Sequence, residues 1–328
     1  MRRREFLVGI AGLLLHPSFG IAQPAGSVPV VGVLWHAGSA EEEKDFATPL
    51  RAGFADLGYI EGKTIKFEER FPAEQKELFD RMATELVDAK VNVIVAGSIP
   101  AALAAQRATS LIPIVLVANP DPIGLKLVAS LSRPGGNITG LSSMGFDLAV
   151  KRLEVVREVI PAASRIALLV NPYNPYDGER QASELLPSAQ KLGLVIKAFE
   201  AKHPEQLQPV IEQIAAEKFD AIIITQNAMF YNERKRLAQL GRAYRIATMA
   251  PADLFLDAGA VMSYGPVWSA MFRNAARYVD KILKGANPAE LPVQQPTQFR
   301  FVINLKAAKA IDLEIPPIVV SRADEVME

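Results

Sequence analysis

The chain has 328 residues, half of them apolar, enough to bury one large core or two medium ones, and at about 150 residues per domain two lobes are favoured. Lys plus Arg and Asp plus Glu each count 36, so no basic field points to nucleic acid and no acidic excess points to disorder. Cysteine is absent, which excludes structural disulfides, thiolate zinc sites, a cysteine nucleophile and a lipid anchor on an amino-terminal cysteine.

Arg2, Arg3 and Arg4 precede an apolar run from Phe6 to Leu15 that is too short to span a bilayer, and Gly20-Ile21-Ala22 offers a small-residue cleavage site. Residues 1–22 therefore read as a signal peptide, with the twin-arginine and the general secretory routes both open. Its removal takes three Arg and one Glu and leaves a mature chain of net charge −2, expected free in the periplasm.

Strand patterns follow at 28–35, 64–71, 91–97 and 112–118, with helix-period stretches at 45–57, 74–89 and 100–109 between them. After the break "SLSRPGGNITGLSS" (130–143) the same order returns, with strands at 165–172, 194–201, 219–227 and 246–251. Helices fall near 178–192, after Pro204 and up to 243. Continuous Val/Ile/Leu strands separated by single helices predict an α/β protein of two doubly wound parallel-sheet lobes.

The expected amino-terminal lobe is 28–142 plus 265–287, and the expected carboxyl-terminal lobe is 143–264 plus 288–328. Three crossovers join them, in "NITGLSS", in "GAVMSYG" (259–265) and in "NPAELPVQQP" (287–296). Pro134 to Asn137 reads either as the lead-in to the first crossover or as a tight surface turn.

Parallel lobes bind ligands at the carboxyl ends of their strands. The residues there are Trp35, His36, Gly97, Ser98, Ile99, Asn119, Asp121, Asn171, Tyr173, Asn174, Gln226, Asn227, Ser263 and Tyr264. Catalysis is hard to assemble from them: the mature chain keeps only His36 and His203, and it has no G-x-G-x-x-G, phosphate loop or G-x-S-x-G elbow. Neither an enzyme nor any cofactor or metal is expected. Asp121 before Pro122 fits an N-cap as well as a ligand contact, and Ser98 fits a cap of its own helix as well as a carboxylate contact.

Several stretches, "LRAGFADLGYIEGKTIKFEERF", "ALAAQRATSLIPIVLVANPDPIG", "VASLSRPGGNITGLS", "MSYGP" and "YVDKILKGANPAELPVQQPTQFRFVINLKAAKAI", resemble the ABC-transporter substrate-binding family that includes tryptophan importer components. The resemblance runs from about Val30 to the terminal "ADEVME". It implies a type I periplasmic binding protein that closes on a small molecule and delivers it to permease and ATPase subunits. A periplasmic sensor subunit presenting ligand to a membrane receptor is the competing reading, distinguished by its partner. Two departures stand out: Lys126 where relatives have a small residue, and Asp312 where they often have Gly.

The predicted site carries Trp35, His36, Tyr173 and Tyr264 but no Arg. That composition predicts an aromatic or branched amino acid held between rings and oriented by amides. Its carboxylate is expected on the helix amino terminus at Gly97 and Ser98.

Overall fold

The computed structural model describes residues 28–172 and 179–328, so the expected signal peptide lies outside the described residues. The first five strands are β1 (Val30–Leu34), β2 (Lys66–Arg70), β3 (Val93–Ala96), β4 (Ile114–Asn119) and β5 (Ile138–Ser142). Between them run α1 (Lys44–Asp56), α2 (Lys76–Asp88) and α3 (Ile99–Ala108). The second series begins with α4 (Gly145–Val159), β6 (Arg165–Val170), α5 (Glu179–Lys191) and β7 (Val195–Glu200). It continues through α6 (Leu207–Ala216), β8 (Ala221–Ile224), α7 (Ala228–Asn232), α8 (Arg234–Ala243) and β9 (Ala247–Ala250). The chain ends with α9 (Leu254–Asp257), β10 (Met262–Pro266), α10 (Trp268–Leu283), β11 (Phe299–Asn304), α11 (Leu305–Lys309), α12 (Pro317–Val320) and β12 (Glu325–Met327).

The first sheet is parallel, in the order β2-β1-β3-β4-β5. The pleat sorts its side chains into two layers. Val31, Val33, Val93, Val95, Val115 and Val117 face α1 and α10, while Leu34, Ile94, Ala96, Ile114 and Leu116 face α2 and α3. Burial on both faces is why these strands read as unbroken apolar runs.

The second sheet runs β7-β6-β8-β9-β10-β11-β12, and its first five strands repeat the connectivity of the first sheet. It departs from the all-parallel expectation at one pair, because β10 and β11 are antiparallel. The detour through α10 between these two strands returns the chain to the second sheet from the opposite end, which reverses the direction of β11.

The crossovers also differ from expectation. "NITGLSS" does not cross as a strand: β5 is the edge of the first sheet, and Pro134 to Asn137 is the turn that leads into it, with Gly135 at φ +82. The chain leaves after β5 through Ser143 and Met144, the latter held in the left-handed region at φ 53. Gly265 and Pro266 belong to the second sheet, paired with Arg300 and Phe299. Residues 288–294 pack on the first lobe, where Thr139 Oγ1 donates to the Leu291 carbonyl (2.7 Å), Val293 N–H to Leu131 O (2.7 Å) and Gln294 N–H to Gly140 O (2.9 Å). A proline-rich composition marks an irregular segment but not the lobe that it lies against. Here it straps the exposed edge of β5 and satisfies backbone groups there.

α1 and α10 pack so closely that a Cβ on Gly53 would lie 2.2 Å from the Arg273 carbonyl oxygen. Gly53→Ala is expected to lower the urea midpoint, by about 1–3 kcal/mol of stability, whereas Gly136→Ala, with nothing within 4 Å of its Cβ position, leaves it unchanged. Equal midpoints for the two variants would contradict this packing.

Candidate functional site

A sheet of order 2-1-3-4-5 has its switch point between its second and third positions, here at the carboxyl ends of β1 and β3 in one lobe and of β6 and β8 in the other. These two edges meet. Phe46 of α1 packs edge-on to Tyr231 of α7 (5.8 Å between centroids) and to Trp268 of α10 (6.4 Å), and Tyr231 packs edge-on to Trp268 (5.6 Å). Asn232 Nδ2 donates to Glu74 Oε1 (2.8 Å) and Arg234 pairs with Asp45 (2.8 Å), each bond linking one lobe to the other. Nearer the first crossover, Ser143 Oγ donates to Gln226 Oε1 (3.0 Å), and a Cβ on Gly145 would stand 2.6 Å from the Pro120 side chain.

The first-lobe wall is organised by one carboxylate. Glu43, fully buried just before α1, accepts the N–H groups of His36 (2.9 Å) and Ala37 (2.8 Å) and contacts His36 Nδ1 (2.8 Å), all through Oε1. The His36 carbonyl in turn accepts the Glu74 N–H (2.8 Å), which ties the 36–38 loop to the segment where Ala73 and Glu74 both take left-handed backbone angles. His36 Nε2 faces Asn232 outside hydrogen-bond geometry. Burial alone would push the imidazole pKa down, but Glu43 beside it and Glu74 beyond more than offset this and hold it above 6.5.

The sign of the pH effect follows. A histidine whose folded-state pKa is raised contributes stability that is complete below its unfolded value and is lost as pH rises through the folded value. The melting-temperature advantage of wild type over His36→Gln is therefore expected to shrink as pH is raised from 6.5. An advantage independent of pH would contradict the pairing.

Of the sequence-predicted residues, Trp35 belongs to the core: its ring stacks on Phe272 (6.0 Å) and its indole N–H donates to Glu69 Oε1 (2.8 Å). Gly97 lies over that ring, its Cβ position 3.3 Å from the indole. Ser98 caps its own helix, accepting the Ala101 N–H (3.3 Å), while Ala102 N–H is taken by the Ser98 carbonyl and Pro100 has none to give. The amino terminus of α3 thus keeps few donors for a carboxylate. Ile99 is buried beside it.

Asn119 Oδ1 accepts the Asp121 N–H (3.1 Å), leaving its buried Nδ2 without a partner among the described residues. Asp121 caps no helix, and its Oδ1 instead closes a turn onto the Gly124 N–H (2.8 Å). Asn171 sits buried at the end of β6, with Nδ2 at 3.9 Å from the Met229 sulfur, and Asn227 caps α7 through the Met229 N–H (3.0 Å). Tyr173 and Asn174 lie outside the described residues. Ser263 is fully buried, its Oγ without a partner among the described residues, and the Tyr264 ring stacks on Phe299 (6.3 Å) on the sheet face. The two departures from the family pattern have a backbone explanation: Lys126 (φ 56) and Asp312 (φ 58) both occupy left-handed positions that suit glycine. Both side chains are exposed, and Asp312 pairs with Arg245 at 2.9 Å.

The rings at the meeting of the lobes are therefore Phe46, Tyr231 and Trp268, none of them in the predicted set. No Arg stands among the predicted residues, but one is bonded to the backbone of Tyr264, which does. Arg152 reaches the carboxyl ends of β9 and β10 from α4, 1% exposed, with Nε donating to the Tyr264 carbonyl (2.7 Å) and Nη2 without a partner among the described residues. Its sequence signal was a place on the apolar stripe of α4 with Leu148, Ala149, Val155, Val156 and Val159, where an arginine is out of pattern. Among the described residues no cluster of His, Asp and Glu is arranged to hold a metal ion, and no helix is long and apolar enough to cross a membrane.

Comparison with known proteins agrees with this fold. Residues 30–327 match the family model described as ABC transporter substrate binding protein. A tyrosine-binding protein of Clostridioides difficile is 25% identical over 313 residues, which cover 95% of this chain and 82% of that protein. A conserved domain protein from Vibrio cholerae is 28% identical, with a TM-score of 0.83 over 92% of this chain and 100% of that one. A domain from Streptococcus pneumonia in complex with L-Trp is 24% identical, with a TM-score of 0.84 over the same shares, and so attests the fold.

Proposed function

The chain belongs to the ABC transporter substrate-binding protein family, whose members are solute-binding proteins and not enzymes, and we propose that it is the periplasmic receptor of an importer, capturing an aromatic amino acid between its lobes. The observation that carries this reading is the meeting of Phe46, Tyr231 and Trp268, contributed by both lobes, at the strand edges where such sheets bind ligands. A planar side chain finds edge and face partners there, each ring pair adding about 0.5–1.5 kcal/mol beyond simple burial. The tyrosine and L-Trp named for the relatives point to the same class of ligand.

Closure needs little to tip it. The Asn232–Glu74 and Arg234–Asp45 contacts are partly solvated, and such pairs contribute about 0–1 kcal/mol apiece. A ligand that touches both lobes then sets the balance of open and closed forms by its differential affinity. The closed form, with His36, Glu74, Asn232 and Arg234 along one rim, is what permease and ATPase subunits would distinguish from the empty receptor. Export by the amino-terminal signal brings the receptor to the compartment where such ligands arrive.

A thermal-shift screen of the common amino acids, followed by small-angle scattering, tests this. Tyrosine or tryptophan at about a hundred times its dissociation constant is expected to stabilise the fold by about 2.7 kcal/mol and to reduce the radius of gyration. Stabilisation by a phosphorylated sugar alone, or an unchanged radius at saturation, would overturn the reading.

A further inference from the structure

Arg152 is the one buried lysine or arginine among the described residues, and its surroundings lack what a buried cation needs. Removing a charge from water is costly unless a counter-charge and hydrogen bonds replace the lost solvation. The other buried charges have these. Glu43 holds His36 and two backbone N–H groups, and Asp280 takes Lys284 (2.8 Å) and the Tyr59 hydroxyl (2.9 Å). The Arg152 guanidinium makes one hydrogen bond, to the Tyr264 carbonyl, and no ion pair with any described carboxylate.

The groups around Arg152 narrow what is missing. The Tyr231 hydroxyl, within electrostatic reach, is also buried without a partner among the described residues, and Asp253 beyond it is engaged by Arg300 at 3.0 Å. Burial lowers the Arg152 pKa to about 10, with Tyr231 and Tyr264 opposing the shift, so the side chain is still a cation at neutral pH. The tight approach here is between backbones: a Cβ on Gly265 would lie 2.0 Å from the Pro251 carbonyl oxygen, but 3.6 Å, an ordinary contact, from Arg152 Nη2. Arg152 Nη2 and the Tyr231 hydroxyl are thus two buried donors, one charged, without an acceptor among the described residues.

We propose that Arg152 is the carboxylate anchor of the cleft: Nη2 receives the carboxylate of the ligand, and the Tyr231 hydroxyl donates beside it. The assignment rests on the reading of the cleft as an amino-acid site and adds to it the residue that selects for an acid. It replaces the helix terminus at Ser98, whose donors are largely spent on its own cap.

Calorimetric titration of L-tryptophan and L-tyrosine against their carboxamides, on wild type, Arg152→Met and Arg152→Lys, tests it. Wild type is expected to prefer the acids by about 100-fold or more, Arg152→Met to lose that preference, and Arg152→Lys to keep part of it. Ligand-free melting adds an independent readout, because removing an uncompensated buried charge should leave the melting temperature of Arg152→Met unchanged or raised. Equal binding of acid and amide by wild type, a preference that survives in Arg152→Met, or a fall of several degrees in its ligand-free melting temperature would each overturn the assignment. Failure of wild type to bind either acid would instead sink the aromatic amino-acid reading, and the melting comparison alone would then decide whether Arg152 is an anchor or a structural residue.

Discussion

Parallel strands have no short return path, and the rest of this structure depends on that constraint. A strand and its parallel neighbour need a connection that runs back along the sheet, so the carboxyl ends of the parallel strands open onto the same edge. Both sheets obey it in the same order, β2-β1-β3-β4-β5 and β7-β6-β8-β9-β10, and three short crossovers turn the two edges toward each other. Polar groups that end strands and begin helices are gathered there without any of them having to interrupt a core.

Across that meeting the charges are not distributed evenly. The first lobe presents a buried carboxylate, Glu43, which organises the 36–38 loop and helps to raise the pKa of His36 beside it. The second presents a buried guanidinium whose outer nitrogen has no described partner. The rings of Phe46, Tyr231 and Trp268 lie where the lobes touch. In water a charge pair at 4 Å is worth about 1 kcal/mol, but in a dry cleft it is worth several times more, so burying such groups makes the site both costly to maintain and selective once filled. The exposed rim contacts can be weak because discrimination does not rest on them.

Much of the fold is legible in the sequence for a plain reason: apolar β-branched runs such as "VNVIVAG" and "FDAIIITQN" suit little besides strands covered on both faces. Lobe boundaries are less legible. "NPAELPVQQP" advertises irregular backbone, yet only tertiary hydrogen bonds from Val293 and Gln294 decide that most of it straps β5. The reversed direction of β11 has no local signature either. His36, Asn119, Gln226 and Ser98 stand where the sequence puts them, at or just after strand ends, though the Ser98 hydroxyl serves as a cap. Tyr231 and Arg152 sit on helices, so a search of strand-following loops misses them, and Trp35 shows the opposite error, a loop residue whose ring turns inward. An arginine on the apolar stripe of α4 is the cue that periodicity offers and that a loop-based search leaves unused.

The central claim, that a buried cation without a described counter-charge is completed by the ligand, is tested most directly by a crystal structure of the protein with L-tryptophan or L-tyrosine, whichever binds more tightly. The account predicts the ligand carboxylate within hydrogen-bond distance of Arg152 Nη2 and the Tyr231 hydroxyl, with its ring against Phe46 or Trp268. A carboxylate seated on the Ser98 helix terminus, or Arg152 left without an acceptor in the filled cleft, would contradict it.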